Sequence, residues 1–220
     1  MSAIKAVGDW ELDVLAIPFY SKDADGQWFD DQTDIMPETF QTPLVAYQHG
    51  ISQGATGLQD KPIKLGNVVP GSLMKQTDGW HIRVILDKAM KYAEAIMEAA
   101  KRGLVAVSSG SISHLARLDV GGKNIMYEKN RPGRISVWPL GEVSLWEMSG
   151  GNVKPANSMA YAVPLAAMKA IYRDAELSFP DVSKLIDGDL SDAQKAAKRA
   201  RKLEILNKSK TILAKLPKEK

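Results

Sequence analysis

Short segments that alternate between apolar and polar residues constrain the fold of this chain more than any other feature. Residues 10–20 follow this pattern, and a turn signal at Asp25-Gly26 comes soon after them. Comparable segments recur at 42–50, 62–69, 80–87, 104–109 and 135–148. Because successive side chains point to opposite faces of a strand, such alternation is typical of strands with one face in a core. The pattern therefore predicts a mainly β domain built from many short strands.

One segment changes to a helical period. Over residues 87–103 the apolar residues recur every three to four positions, which is the spacing of one helical face. They are Ala89, Ala93, Ile96, Met97 and Ala100. Asp87 is suited to the N-cap of this helix and Gly103 to the position after its last turn. Short strands with inserted helices predict an α+β fold whose β part is an antiparallel barrel or sandwich.

The composition changes after Pro164. We expect a first domain over residues 1–165, a short helix and linker over 166–190, and a helical tail over 191–220. The tail has ten Lys/Arg against three Asp/Glu, a net charge of +7. Since the whole chain has a net charge of +3, the remaining residues carry −4. A basic tail on a mildly acidic body predicts that the two parts have different roles.

The composition also excludes several classes of site. The chain of 220 residues contains no cysteine, which excludes disulfides, thiolate zinc sites and cysteine nucleophiles. No apolar run reaches the roughly 18 residues of a membrane-spanning helix, and no signal-peptide core is recognised at the start. P-loop, dinucleotide-binding, EF-hand, HExxH and GxSxG motifs are absent. The three histidines have no metal-ligand spacing, so we expect no metal or other cofactor in a protein of cytosolic type.

The segment VAVSSGSISH holds four serines around one glycine. Hydroxyls collect in turns because they bond to nearby backbone groups, so a polar turn is one interpretation. The other is a serine nucleophile, which needs a base, a group that holds the base, and donors for the oxyanion. His49 is placed before a glycine at a predicted strand end, where a base could project into a cleft, and a structural histidine is the alternative interpretation. His81 lies within an alternating strand, which favours a structural role. His114 follows the serines too closely, which favours a solvent-facing or locally hydrogen-bonded side chain.

Four groups of short motifs occur in order between residues 10 and 164. They are DADGQWFD with PETF, then VAYQHG, then AAKRGLVAVSSG, and finally GEVSLW with KPAN. This series resembles the prohead serine proteases of tailed phages, which are relatives of the herpesvirus assemblins. In that family the second motif carries the catalytic histidine, the third carries the nucleophile, and the fourth is the EVSL…PAN signature. The resemblance implies an assemblin-like fold.

The resemblance also implies a catalytic triad of Ser108, His49 and Glu142. Ser108 corresponds to the nucleophile because the serine of that family precedes the glycine by two positions. Glu142 opens EVSL, where the assemblins carry a second histidine, and a carboxylate there would orient His49 and stabilise its imidazolium. An exposed strand carboxylate is the alternative interpretation of Glu142. The usual apolar residue between serine and glycine is replaced here by Ser109, so Ser109 and Ser111 stay open as alternative nucleophiles.

Two glycines are implied as donors to the oxyanion. In the assemblins these backbone donors follow the third triad member by eight or nine residues, which here gives Gly150 and Gly151. Because glycine has no Cβ, its N–H can come close to a substrate. A plain Gly-Gly turn is the alternative interpretation of this pair.

The family resemblance implies a serine endopeptidase of phage head maturation. It would cut a scaffold protein or an extension of the major capsid protein, and itself, inside the procapsid in the host cytoplasm. Two other classes stay open: a non-enzymatic capsid assembly or scaffolding protein on the same fold, and an acyl hydrolase of small esters. Assemblin-like enzymes form dimers, but no residue pattern bears on a homodimer here. No membrane partner is expected.

The basic tail, 191–220, has three interpretations. Its charge would support salt-sensitive binding to nucleic-acid phosphates, but it has no interleaved aromatic residues for stacking on bases. Its apolar face could instead dock on a capsid or scaffold partner. The third interpretation is a solvated appendage. Docking, or removal by self-cleavage, is favoured over nucleic-acid binding.

Overall fold

The computed structural model describes residues 4–47, 63–148, 160–183 and 185. The chain divides into two compact units, Met1–Pro180 and Asp181–Lys220. The elements named below all belong to the first unit. The predicted tail over 191–220 lies outside the described residues.

Thirteen strands and two helices make up the described part of the first unit. The strands are β1 (Ile4–Gly8), β2 (Glu11–Pro18), β3 (Gln27–Trp28), β4 (Leu44–Tyr47), β5 (Lys64–Val68), β6 (Met74–Lys75), β7 (Gly79–Leu86), β8 (Val105–Ile112), β9 (Arg117–Val120), β10 (Lys123–Met126), β11 (Gly133–Val137), β12 (Glu142–Glu147) and β13 (Tyr161–Val163). The helices are α1 (Ala93–Lys101) and α2 (Leu165–Asp174). The predicted mainly β, α+β class is therefore confirmed.

Most strands join one large mixed sheet. Its order is β1-β2-β7-β5-β4-β12-β8-β13, and β6 pairs with β7 outside this path. Two neighbouring pairs are parallel, β4 with β12 and β8 with β13. The expected antiparallel barrel is therefore wrong for the described residues. The sheet is mixed, and it is open rather than closed, with β1 at one edge and β13 at the other. Local alternation could not have predicted this, because strand direction depends on long crossover connections.

A second sheet of four strands has the order β10-β9-β11-β3. Arg134 on β11 forms ion pairs with Asp30 at 3.2 Å and with Asp119 at 3.0 Å. The indole of Trp138, just after β11, is fully buried and packs edge to face on Phe29. These contacts hold the short strand β3 and its following loop against the rest of the sheet.

The two faces of the large sheet differ in what they bury. Around β8 and β12, one face contributes to the main hydrophobic core through residues such as Val107 and Leu145. The other face carries Leu44, Ala46 and Ala106, which are equally buried but lie outside that core cluster. This second face also carries the polar residues considered below.

Helix α1 begins later than predicted. It spans Ala93–Lys101 rather than 87–103, and Tyr92, with φ at 71°, occupies the N-cap position. Asp87 instead accepts a hydrogen bond through Oδ1 from a backbone N–H two residues on, at 2.9 Å. The Met90 N–H bonds to the Asp87 carbonyl oxygen and closes a separate turn, and the left-handed conformation of Tyr92 lies between that turn and the helix. Gly103, with φ at 68°, follows the last turn as predicted.

Candidate active site

Strand β8 carries most of the serine-rich segment, so the polar-turn interpretation is wrong for these residues. All residues of the strand are buried, and it is paired with β12 on one side and β13 on the other. Because side chains alternate along a strand, Ser108 and Gly110 share one face. Ser109 and Ser111 share the opposite face.

Strand β12 brings Glu142 and Ser144 to the face that carries Ser108. The antiparallel register pairs Ser144 with Ser108 and Glu142 with Gly110. Directly opposed residues have Cβ atoms about 4.5–5.5 Å apart, and diagonal neighbours are somewhat farther apart. Ser144 is therefore the cross-strand neighbour of Ser108, and Glu142 lies diagonally beside it.

The Glu142 carboxylate is fully buried and hydrogen-bonded. The Ser144 hydroxyl donates to Glu142 Oε1, and neither side chain is exposed to solvent. A carboxylate removed from water is costly unless hydrogen-bond donors replace the water. The interpretation of Glu142 as an exposed strand carboxylate is therefore wrong, and the Ser144 hydroxyl is one of the groups that make its burial tolerable.

Helix α2 packs against the residue that precedes Glu142. The Tyr172 hydroxyl donates to the carbonyl oxygen of Gly141 at 2.7 Å. The methyl group of Met168 lies over Gly141, so that a Cβ at this position would be 2.9 Å from it. Burial raises the pKa of Tyr172, and the charge of Glu142 raises it further. These contacts fix the backbone at the start of β12.

The hydroxyl of Ser108 is buried and has no hydrogen-bond partner. Its side chain is fully enclosed, so the hydroxyl has lost its water without a replacement, at a cost of about 1–3 kcal/mol. Such groups are uncommon in native proteins, and a catalytic role is one reason for their persistence. A nucleophilic role for Ser108 would therefore require movement of the segments that enclose it.

The alternative nucleophiles do not share a face with Glu142. Ser109 Oγ accepts a hydrogen bond from Nε1 of the buried Trp138 at 3.0 Å, so it takes part in the packing of the main core. Ser111 Oγ is buried without a partner, as in Ser108, but it points to the same side as Ser109. Of the three serines, only Ser108 lies on the carboxylate's side of the sheet.

The predicted base, His49, lies outside the described residues. The strand that precedes it is β4, which ends at Tyr47 and pairs in parallel with β12. In this register Leu44 lies opposite Glu142. Two of the three predicted triad residues, Ser108 and Glu142, thus share one face, and the strand leading to His49 is the neighbour of the strand that carries Glu142.

The predicted oxyanion donors, Gly150 and Gly151, also lie outside the described residues. Strand β12, which leads toward them, ends at Glu147. The Tyr47 hydroxyl donates to Glu147 Oε1 at 2.9 Å, and its ring stacks on Tyr92 at a centroid distance of 4.2 Å. Burial and the Glu147 carboxylate raise the pKa of Tyr47 to about 12. The ends of β4 and β12 are therefore tied together.

The contacts of His81 agree with a structural role, and His114 is half-buried. His81 lies between two carboxylates, with Nε2 at 2.9 Å from Asp78 and Nδ1 at 3.3 Å from Asp13. These contacts link strand β7 to β2 and to the turn before β7. Burial lowers the pKa of His114, and the nearby charge of Arg117 lowers it further.

Within residues 4–47, 63–148 and 160–183, no group of three or more His, Asp or Glu side chains could hold a metal ion. No helix in that part of the chain is long and apolar enough to span a membrane. What the site does offer is a hydroxyl and a carboxylate, groups that serve in nucleophilic attack and in proton transfer.

Sequence reasoning missed two residues of this site, Ser144 and Tyr172. Ser144 follows Glu142 by two positions in EVSL, so strand alternation alone could have placed both side chains on one face. Tyr172 had no comparable local signal, because its contact with Gly141 joins residues 31 positions apart.

Comparisons of the chain with protein-family models, curated proteins and solved structures found no match. The resemblance to the prohead proteases therefore depends on the four motif groups themselves.

Proposed function

We propose that this chain is a serine endopeptidase of phage head maturation. Ser108 is the nucleophile, His49 is the general base, and Glu142 orients His49. The proposed fold is a variant of the assemblin fold, supported by the order of the motifs. The proposed substrates are a scaffold protein or the extension of the major capsid protein, together with the chain itself.

One observation carries the proposal: an unpaired buried hydroxyl shares a strand face with a buried carboxylate. Ser108 and Glu142 lie on adjacent strands, and each is costly to bury. Sequences that specify a fold usually avoid such groups, and violations tend to occur at functional sites. The buried hydroxyl and the buried carboxylate occur at the positions that two separate motifs predicted. This agreement supports a catalytic pair.

In the proposed reaction, Ser108 Oγ attacks the carbonyl carbon of the scissile peptide bond while His49 takes its proton. Glu142 accepts a hydrogen bond from the other ring nitrogen of His49 and stabilises the imidazolium. The C–N bond then breaks, and His49 returns the proton to the leaving amine. Water, activated by His49, hydrolyses the acyl-enzyme and restores Ser108. The backbone N–H groups of Gly150 and Gly151 are the proposed oxyanion donors.

Confinement inside a procapsid is compatible with an enclosed nucleophile. If the site opens only part of the time, the reaction is slow in dilute solution. Enzyme and substrate enclosed in one particle have a high effective concentration, so even a slow enzyme completes its cuts. The basic tail, 191–220, is proposed either to dock on a capsid or scaffold partner or to be removed by self-cleavage.

A non-enzymatic capsid assembly protein is the second candidate function. The observation that favours it is the complete enclosure of Ser108. Under this alternative the triad is vestigial, and replacement of Ser108 changes neither processing nor assembly.

The deciding experiment is intact mass measured over time for the full chain, alone and mixed with the major capsid protein precursor. Wild type is compared with Ser108→Ala and with Ser111→Ala, which removes an equally buried and unpaired hydroxyl from the other face of β8. We expect discrete cuts in wild type and in Ser111→Ala, and none in Ser108→Ala.

Three other outcomes contradict the proposal in different ways. Cuts that persist in Ser108→Ala but vanish in Ser111→Ala would move the nucleophile to Ser111. Absence of cuts in all three proteins would favour the assembly protein. Turnover of a small nitrophenyl ester that depends on Ser108, without any protein cleavage, would favour the acyl hydrolase.

A further inference from the structure

We infer that Ser144 is a positioning residue of this site, which holds the Glu142 carboxylate in the orientation that His49 needs. The inference rests on the proposed function, because it assigns a role within the same triad. Three observations support it: a hydrogen bond between two buried groups, the strand register, and the separate restraint of the Glu142 backbone.

The first observation is the hydrogen bond from the Ser144 hydroxyl to Glu142 Oε1. The last torsion of a glutamate side chain has broad, roughly two-fold preferences, so the strand backbone alone does not fix the plane of the carboxylate. A donor on the same strand, two residues away and on the same face, restricts that torsion. Because both groups are fully buried, water does not compete with this bond.

The second observation is the position of Ser144 opposite Ser108 in the β8–β12 register. The hydrogen bond therefore restrains the Glu142 side chain beside the strand position that carries the proposed nucleophile. Carboxylate, Ser144 and Ser108 lie next to one another on two hydrogen-bonded strands, and such elements position a site more accurately than loops do.

The third observation is that the backbone of Glu142 is held separately from its side chain. The Tyr172 hydroxyl donates to the carbonyl oxygen of Gly141, the residue immediately before Glu142, and so restrains the backbone there. Because α2 restrains the backbone at this point, the hydrogen bond from Ser144 restricts the torsions of the Glu142 side chain. A carboxylate has about four acceptor positions, so a bond from Ser144 is compatible with a second bond from His49.

The test is a double-mutant cycle on the full chain with Ser144→Ala, Glu142→Met, which removes both acceptor oxygens, and the combination of the two. Two readouts are taken for each protein: kcat and KM for cleavage of the capsid precursor, and the midpoint of unfolding in urea. We expect Ser144→Ala to lower kcat about 10–100-fold with KM unchanged, as misplacement of a catalytic group does. In the Glu142→Met background the same change should lower kcat less than about 3-fold, because Ser144 acts through the Glu142 carboxylate.

Three further variants complete the design. Ser144→Thr keeps the hydroxyl and should restore most of the lost kcat. Ser144→Cys keeps more of the side-chain volume with only a weak donor, so it replaces the alanine variant if that one does not fold. Ser136→Ala is the matched control, since it removes a serine that donates to Asn124 Oδ1 at 2.6 Å in the other sheet. It should leave kcat unchanged.

The two readouts separate failure of this inference from failure of the proposed function. Unfolding midpoints that shift additively across the cycle would overturn the coupling between Ser144 and Glu142, whether or not the protein cuts anything. Non-additive midpoints in a protein that never cleaves would overturn the proposed function instead, and the catalytic role of Ser144 with it. Activity that is lost in Ser144→Ala and retained in Ser108→Ala would make Ser144 the nucleophile and also overturn the inference.

Discussion

Ser108 and Ser109 are chemically identical neighbours in opposite environments. The Ser109 hydroxyl accepts a hydrogen bond from the buried Trp138, whereas the Ser108 hydroxyl is buried without a partner. The strand pleat alone causes this difference, because it turns one side chain into the main core and the other toward Glu142. Ser109 therefore contributes to the packing of the core, whereas Ser108 is the proposed nucleophile.

This contrast gives opposite expectations for one substitution at adjacent positions. Ser108→Ala removes an unsatisfied buried hydroxyl and should raise the free energy of unfolding by about 1 kcal/mol. Ser109→Ala leaves the Trp138 N–H without this acceptor and should lower it by about 1–3 kcal/mol. Urea unfolding followed by tryptophan fluorescence measures both. An equal loss in both variants would contradict the assignment of Ser108 as unpaired.

The hydroxyl of Tyr47 should make stability depend on alkaline pH. Burial and the Glu147 carboxylate raise its pKa to about 12, above the ordinary value of 10.0. A group whose pKa is raised on folding stabilises the folded state below its unfolded pKa, and this contribution is lost as pH rises through the folded value. The free energy of unfolding should therefore fall between pH 10 and about pH 12.

The variant Tyr47→Phe checks this expectation. It should be less stable than wild type at neutral pH, since the bond to Glu147 is lost, and its stability should fall less steeply above pH 10. Urea titrations at a series of pH values measure the slope. An identical slope in both proteins would assign the alkaline loss to other groups, such as Tyr127 and Tyr172, whose pKa values burial also raises.

At the scale of elements, the contact between α2 and the start of β12 matters most for the site. Helix α2 follows β13 along the chain, and through Tyr172 it reaches the carbonyl oxygen of Gly141, immediately before Glu142. The same carbonyl oxygen accepts a bond from the backbone N–H of Leu44 on β4 at 3.1 Å. Three elements therefore meet at one peptide group, next to the proposed triad carboxylate.

Loss of the Tyr172 hydroxyl should weaken this junction. Tyr172→Phe should lower the free energy of unfolding by about 1 kcal/mol, the usual net value of a buried hydrogen bond. The matched control is Tyr20→Phe, which removes a hydroxyl that donates to Asp31 at 3.1 Å from a ring that is 67% exposed. It should change stability by less than about 0.5 kcal/mol. Equal losses in the two variants would contradict the proposed junction.

At the scale of the whole molecule, the main hydrophobic cluster of the described residues lies within the unit Met1–Pro180. The net charge of +7 over 191–220 contrasts with −4 for the rest of the chain. All the strands and helices that position Ser108 and Glu142 lie in the first unit. We therefore expect the folding of this unit to be independent of the basic tail.

A chain that ends at Leu190 tests that expectation. It should unfold cooperatively at a midpoint within about 2 °C of the full chain, because it keeps every contact of the described core. Circular dichroism during heating measures the midpoint. A large drop in the midpoint, or loss of cooperativity, would show that residues 191–220 contribute to the stability of the first unit.

Local patterns in the sequence determined the class of the fold and several of its parts. Alternation predicted the strands around 10–20, 42–50, 80–87 and 104–109, because burial of one strand face is encoded residue by residue. The end of helix α1 before Gly103 was also predicted from a local pattern, since the positive φ that often follows a helix favours glycine. The motifs also predicted Ser108 and Glu142 as site residues, without any information on strand pairing.

Only the tertiary structure decided how these parts combine. Strand order and the three parallel pairs depend on long connections, and the late start of α1 depends on the separate turn at Asp87. Apolar spacing does not record either of them. Which serine faces a carboxylate depends on strand register, and a shift of one residue would turn Ser109 toward Glu142 in place of Ser108. The Tyr172 contact likewise required a helix to fold back onto a strand made earlier in the chain. Residue types supplied the chemistry, and long-range packing determined which of them meet.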